Sequence, residues 1–350
     1  MNLRDYDYFL PEKNLALEPA VPRDSSKLFV YDTKTDLISF DHFYNLDKYL
    51  PESSFMVLNN TKVLPARVTM KKENGGKAII LFLINELTNL QITKVMADRK
   101  INIGDLLYFN KENYLRVISK KEHIFELEFN FGREKLFNLL KIYGTMPIPL
   151  YLKKTPLKRD ELLEKYQTIF AKTEGSAAAP TASLHFTNRV FDRLDKKRIK
   201  KYFVTLHVGL GTFAPITDEN IKQKKLHEEY FEINEKTLQL INQSKLEKKK
   251  LVAVGTTVVR TLESVETRDN PAKREIPSFQ KTNLFVYPPY NFKMVDIMIT
   301  NFHLPKSSLM MLVEAFLQHK KAKKSLVELY NIAIKNNFRF YSFGDAMVIL

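Results

Sequence analysis

The alternation of apolar and polar positions changes character twice along the chain. Residues 1–65 open irregularly and then give two apolar runs of strand length, Leu28-Phe29-Val30-Tyr31 and Phe55-Met56-Val57-Leu58-Asn59, each bounded by turn formers. From Ala66 to about Phe131 the runs become short and closely spaced: 78–84, 90–96, 106–109, 114–118 and 125–131, divided by turns such as Asn74-Gly75-Gly76 and Gly104-Asp105. In the last run Phe125, Leu127, Phe129 and Phe131 alternate with polar residues, which gives one apolar face. This texture predicts a small antiparallel barrel. A helical run over 133–142 and the stiff Pro147-Ile148-Pro149 carry the chain back.

After residue 150 strand, loop and helix recur. Residues 203–207 lead into His207-Val208-Gly209-Leu210-Gly211-Thr212-Phe213, and 251–254 into Gly255-Thr256-Thr257 and a helix through Val259, Leu262 and Val265. Residues 295–299 pass through Thr300-Asn301-Phe302-His303-Leu304-Pro305-Lys306-Ser307-Ser308 to an apolar helix over 309–317. A closing strand is expected over 338–343 and a mobile polar loop over 266–281. The pattern predicts an α/β fold, a mixed β-sheet with flanking helices, with an inserted small antiparallel β-barrel domain. The expected division is a discontinuous catalytic domain, 1–65 and 150–350, interrupted by a barrel at 66–149. Three polar loops would then line one edge of the sheet, where binding groups gather in such folds.

One stretch fits neither period. In residues 166–187, Gly175 to Ala179 carry almost no side chain, Pro180 stops any helix, and Thr181, His185 and Thr187 restore polar groups. Small residues let a backbone approach a ligand closely, and the histidine supplies a titratable group. A tight surface loop is the plainer reading of the same residues.

Composition narrows the chemistry. The chain has 350 residues, 44% of them hydrophobic, and no apolar run near the roughly 20 residues that cross a bilayer. Met1 to Phe9 holds acidic residues and no apolar core, so no signal peptide and a cytosolic location are expected. The absence of cysteine excludes disulfides, thiolate metal sites and cysteine nucleophiles. A formal net charge of +15 points to a polyanionic partner such as nucleic acid, with compositional drift toward lysine as the alternative.

Gly209-Leu210-Gly211-Thr212-Phe213-Ala214 matches a dinucleotide fingerprint in form only, because Pro215 follows where a helix should begin. His185, His207, His227 and His303 are dispersed, as hydrogen-bonded structural or catalytic histidines are, and no metal is expected. Gly255-Thr256-Thr257 followed by Arg260 offers a helix start that can take a carboxylate or phosphate, and Pro305-Lys306-Ser307-Ser308 offers a second.

Together these segments resemble the S-adenosylmethionine:tRNA ribosyltransferase-isomerase family of queuosine biosynthesis. The resemblance runs through Pro22-Arg23-Asp24-Ser25-Ser26, Val57-Leu58-Asn59-Asn60-Thr61-Lys62-Val63, Tyr166-Gln167-Thr168-Ile169-Phe170-Ala171, Ala178-Ala179-Pro180-Thr181-Ala182, Leu184-His185-Phe186-Thr187 and the three loop motifs above. Ser183 and Pro289 stand where the family pattern has glycine, and Asn60 where it has aspartate. The resemblance implies an α/β domain with an inserted barrel. It also implies S-adenosylmethionine as ribosyl donor and co-substrate, with the anticodon loop of queuosine-type tRNAs as partner, no membrane, and a monomer.

The implied reaction moves the ribosyl part, isomerised, to the aminomethyl-deazaguanine at the tRNA wobble position and releases adenine and methionine. His185 and His207 are the candidate bases, with the other histidine or Glu228 as acid. Phe170, Phe186 and Phe213 are candidates to stack on adenine or the sulfonium, with core packing as the competing role. Thr256, Thr257 and Arg260 suit the methionine carboxylate, and Arg23, Lys62 and Arg67 suit tRNA phosphates or the modified base. Asp24, Ser25, Asn59, Thr61, Thr181, Gly209, Gly211, Thr212, Asn301 and His303 complete the implied substrate-binding set. Two other classes share parts of the pattern. An RNA methyltransferase lacks support because no glycine-rich loop opens a helix after the first strand, and a non-catalytic RNA binder leaves the polar strand ends unexplained.

Overall fold

The computed structural model describes residues 3–84, 91–121, 123–129, 131–209, 216–265 and 279–350. Its centre is a nine-stranded sheet in the order Phe279–Leu284, Lys225–Glu232, Lys200–His207, Ser54–Asn59, Lys250–Val254, Ile297–Asn301, Ala346–Ile349, Lys27–Asp32 and Leu37–His42. Lys200–His207, Ser54–Asn59, Lys250–Val254 and Ile297–Asn301 run parallel. All six residues of Ser54–Asn59 are buried, as expected of a strand covered on both faces.

Period-two alternation divides these apolar strands between two cores. Phe55 and Val57 face the helices Glu235–Leu246, Thr256–Ser264, Ser308–His319 and Leu326–Lys335, while Met56 and Leu58 face Asn188–Lys196 and the turn Phe43–Lys48. The helices begin where the chain supplies caps. Thr187 Oγ1 accepts the N–H of Val190, Ser307 Oγ that of Met310, and Ser325 forms a reciprocal box with Glu328.

Between Arg67 and Phe129 six antiparallel strands close on themselves. Arg67–Lys72, Lys77–Phe82, Ile92–Ala97, Ile124–Phe129, Tyr114–Lys121 and Leu106–Tyr108 pair in that order, and the last returns to the first through Lys71–Tyr108 and Lys72–Leu107. Val68, Met70, Ile80, Phe82, Val95, Leu115, Leu127 and Phe129 fill the interior. Helix Arg133–Tyr143 follows, and Gly144–Thr145 pairs back onto Val68 and Arg67. A Cβ at Gly144 would meet the Pro65 carbonyl oxygen at 1.7 Å, so only glycine fits this return.

Three edge or near-edge strands escape the period analysis. Leu37–His42 is largely open to solvent, Phe279–Leu284 is mostly half-buried, and Lys225–Glu232 carries charge at four of its eight positions, so none presents a buried apolar run. The expected strand over 338–343 is not formed. Phe338 and Phe340 enter the core from a short segment between two turns that makes a single parallel bridge, Phe340 to Leu15; Phe340 meets Phe302 at 4.7 Å between ring centres, and the closing strand is Ala346–Ile349. Hydrophobicity there reflects burial of rings, not ladder pairing. Of the polar loop expected over 266–281, residues 266–278 lie outside the described residues.

Gly144→Ala should lower unfolding free energy by about 1–3 kcal/mol, because the Pro65 carbonyl must be displaced. Urea denaturation of the variant checks this, and an unchanged midpoint would remove the close approach from the account.

Candidate active site

The four parallel strands end along one edge, in His207, Asn59, Val254 and Asn301. Asn59 stitches this edge. Its Oδ1 accepts the N–H groups of Thr61 and Leu206, each at 3.1 Å, while Nδ2 donates to the Leu206 carbonyl at 3.0 Å and Thr257 Oγ1 at 3.3 Å. A cavity of about 480 Å³, within the range of small-molecule sites, opens beside the edge. Its wall includes Tyr151, Tyr166, residues 178–182, His227, Glu229, residues 255–257, Arg260, residues 300–309, Tyr341 and Ser342.

Two helices, Thr256–Ser264 and Ser308–His319, begin on the cavity and direct the positive ends of their dipoles there. Gly255, at φ +90°, makes the sharp entry to the first. Arg260, one turn further on, is 7% exposed and forms a buried ion pair with Glu229 through Nη1. Its Nε donates to the Leu284 carbonyl at 3.1 Å, and Glu229 Oε1 accepts the Gly209 N–H at 3.0 Å. Arg260 Nη2 and Asn301 Oδ1 are buried without a hydrogen-bond partner among the described residues. Two residues of the cavity wall thus each keep one buried polar atom unpaired among the described residues.

Three histidines are held neutral. His185 is 4% exposed, with Nδ1 2.9 Å from Ser26 Oγ and Nε2 3.3 Å from Asn301 Nδ2, and burial pushes its pKa down to about 3, helped by Arg339 and Arg23. His303 lies on the cavity wall, its Nε2 2.8 Å from Thr300 Oγ1, and burial again lowers it to about 3. His207 shares a 2.8 Å contact with Thr61 Oγ1 and is lowered to about 4 by burial, then by Arg133. Gly175 lies against its ring, where a Cβ would sit 2.9 Å from Cε1. The close approach expected in this small-residue stretch is therefore made to an imidazole.

Of the expected site residues, Thr181, Thr256, Thr257, Arg260, Asn301 and His303 line the cavity. Gly209 borders it through Glu229, and Gly211, Thr212 and Phe213 lie outside the described residues. His185 and His207 are not among the residues that line it, and both ring nitrogens of His185 have hydrogen-bonding neighbours, Ser26 Oγ and Asn301 Nδ2. Glu228 is not on the wall either. It is exposed and pairs with Lys281 at 3.1 Å, whereas strand alternation turns Glu229 and His227 toward the cavity.

Phe186 is a fully buried core residue and Phe170 is half-buried against the same cluster, both packed with Phe191, at 5.5 and 5.7 Å, and neither lines the cavity. Arg23 donates to the carbonyls of Gln167 and Glu164, and Ser25 to that of Pro22, contacts that brace the loop. Asp24 is buried and takes Thr187 Oγ1 at 2.5 Å and Arg189 at 2.7 and 2.9 Å. Asn59 and Thr61 shape the edge from beneath, and Lys62 pairs with Glu174 at 3.2 Å. Arg67 has no ion pair among the described residues. Asn60 uses only its Oδ1, accepting from Thr205 Oγ1 at 2.7 Å, which a carboxylate would do equally, while the Ser183 hydroxyl is buried without a partner. His227, Glu229, Tyr151, Tyr166 and Tyr341 were missed, and for the first two the alternation about Glu228 was the available signal.

A mixed α/β sheet, an inserted closed barrel and a carboxyl-edge cavity with two helix starts place the chain among α/β proteins whose cavity lies where such folds bind their ligands. The family model described as queuosine biosynthesis protein matches residues 3–349, and the chain belongs to that family. Similar curated proteins include those of Sulfurihydrogenibium sp. and Thermosipho melanesiensis, each 41% identical, and of Carboxydothermus hydrogenoformans, 42% identical. All three are named S-adenosylmethionine:tRNA ribosyltransferase-isomerase, and the matches cover 100% of this chain and of each relative. A crystal structure of S-adenosylmethionine tRNA ribosyltransferase from Thermotoga maritima is 30% identical with a TM-score of 0.53, covering 99% of this chain and 100% of its own.

The histidines set a pH dependence. Their folded values lie below the ordinary value near 6.5, so the unfolded chain takes up protons first and stability is lost as pH falls from about 6.5 toward 4. The expected slope is roughly 1.4 kcal/mol per pH unit for each histidine. Urea unfolding at pH 7.5, 6.5 and 5.5 reads it, and His303→Gln should flatten it by one proton's worth. A flat profile would mean that these rings are not buried neutral.

Proposed function

We propose that this chain transfers and isomerises the ribosyl part of S-adenosylmethionine onto the aminomethyl-deazaguanine of a tRNA wobble position, releasing adenine and methionine. The observation that carries the reading is the cavity, where two helix N-termini and the unpartnered Nη2 of Arg260 meet among family motifs. Such a corner suits the methionine carboxylate, with Thr256 and Thr257 supplying N–H groups at the helix start. The pairing of Arg260 with Glu229 lowers the net charge there and holds the guanidinium in one orientation.

The sulfonium acidifies the adjacent ribose carbon, and adenine leaves readily only when its ring receives a proton. His227 suits both transfers. It is exposed at the cavity and has no hydrogen-bond partner among the described residues, so its imidazole can accept the first proton and return it to the departing base. His303, fixed and neutral, serves as a hydrogen-bonding wall. Arg67, on the first barrel strand, and Lys62 are the cations that suit tRNA phosphate, and the anticodon loop suits a site that must receive a splayed-out nucleotide.

Purified protein given S-adenosylmethionine and undermodified tRNA should yield free adenine, free methionine and a heavier tRNA. S-adenosylhomocysteine in their place would overturn the reading in favour of a methyltransferase. His227→Ala should lower turnover by roughly 10²- to 10⁴-fold, the usual contribution of general acid–base catalysis, while Glu228→Gln stays within about twofold of wild type. A loss below tenfold for His227→Ala would remove its role. Arg67→Ala should weaken tRNA binding and reduce the salt slope by about one, whereas Arg23→Ala should leave the slope unchanged. Filter binding across a salt series distinguishes the two.

A further inference from the structure

Tyr341 is, among the described residues, the one aromatic side chain on a backbone of positive φ, at +73°. That region crowds the Cβ and is costly for a bulky residue, so it persists only where the surroundings impose it. Here they do. The Tyr341 N–H donates to the Phe302 carbonyl at 3.0 Å, and its own carbonyl accepts the Gly344 N–H at 3.0 Å and Asn301 Nδ2 at 3.2 Å. Gly344 leaves room for the Arg339 carbonyl, which a Cβ would meet at 2.5 Å, and the Asp345 carboxylate accepts the N–H groups of Arg339 and Lys27 at 2.7 and 3.0 Å.

What the strained turn delivers is direction. The Tyr341 ring lies on the cavity wall 4.8 Å from that of Tyr151, tilted by 56°. The Tyr151 hydroxyl is occupied by the Ser342 N–H at 2.8 Å, whereas the Tyr341 hydroxyl has no partner among the described residues. A second observation lies on the same wall. Asn301, which braces Tyr341 through Nδ2, keeps a buried Oδ1 acceptor without a partner among the described residues. A flat heteroaromatic ring with an exocyclic amino group would satisfy both features, its face on the tyrosines and its N–H on Asn301.

We propose that Tyr341 and Tyr151 form a stacking wall for a purine-type base, with Asn301 Oδ1 accepting from its amino group. This rests on the function proposed above. Both substrates of that reaction carry such a ring, the adenine of the donor and the deazaguanine of the tRNA.

The test uses the full chain with Tyr341→Asn, which tolerates the left-handed backbone but removes the ring, and Tyr341→Gly as a second variant should the first fail to fold. Donor KM, tRNA KM, calorimetric Kd for S-adenosylmethionine alone and Tm are compared with wild type. Stacking on one base corresponds to roughly a 5- to 150-fold loss. A rise of that size in donor KM and Kd, with tRNA KM and Tm held, assigns the wall to adenine. The same rise in tRNA KM alone assigns it to the acceptor base. In either case Tyr341→Phe, which keeps the ring, should recover most of the loss. Unchanged KM values for both substrates, or a rise in both together with a fallen Tm, would overturn the wall. A wild-type enzyme that releases no adenine would instead overturn the underlying reading.

Discussion

Parallel strands leave their carboxyl ends on one edge, and four of them side by side leave a row of backbone groups that the ladder no longer pairs. Asn59 and Asn301 stand at two of these ends and take up the unpaired groups with neutral amides. Asn59 ties the ends of two strands to the following helix start, and Asn301 joins the third to His185 and to the turn at Tyr341. The edge is thus rigid without a net charge of its own, and the loops that rise from it hold the cavity in a defined shape.

Charge enters the site through one buried pair. Glu229 and Arg260 join the strand next to the sheet edge to the helix Thr256–Ser264, and each uses a further atom on backbone, Gly209 in one case and Leu284 in the other. Burying such a pair carries a large desolvation cost, and losing one partner would strand the other charge. The arrangement holds the guanidinium with Nη2 alone unpaired among the described residues. Burial keeps His185, His207 and His303 uncharged, so the cavity wall combines the held Arg260, Lys306 paired with Asp7 at 2.8 Å, two helix dipoles and the neutral His303.

The barrel was legible because its strands alternate. Phe125, Leu127 and Phe129 announced an inside and an outside, and closure follows from short strands with tight turns between them. The central parallel strands were legible because both faces are covered and the runs are apolar throughout. Lys225–Glu232, next to the edge, was not, since its four charged residues give it no apolar run, although alternation places His227 and Glu229 on the face opposite Glu228. The stretch 338–343 failed in the opposite sense. Its phenylalanines are apolar because their rings fill the core, and the backbone that carries them makes one bridge, to Leu15, before it turns.

The sequence by itself determined the class of sheet, the inserted barrel and the family, because periodicity and ordered motifs are local properties of the chain. Which polar side chains reach the cavity was decided by tertiary structure alone. Whether a histidine is enclosed like His185 or open like His227, and whether an aromatic is packed like Phe186 or presented like Tyr341, depends on neighbours distant along the chain. Burial, partner geometry and backbone strain arise only when those neighbours are brought together.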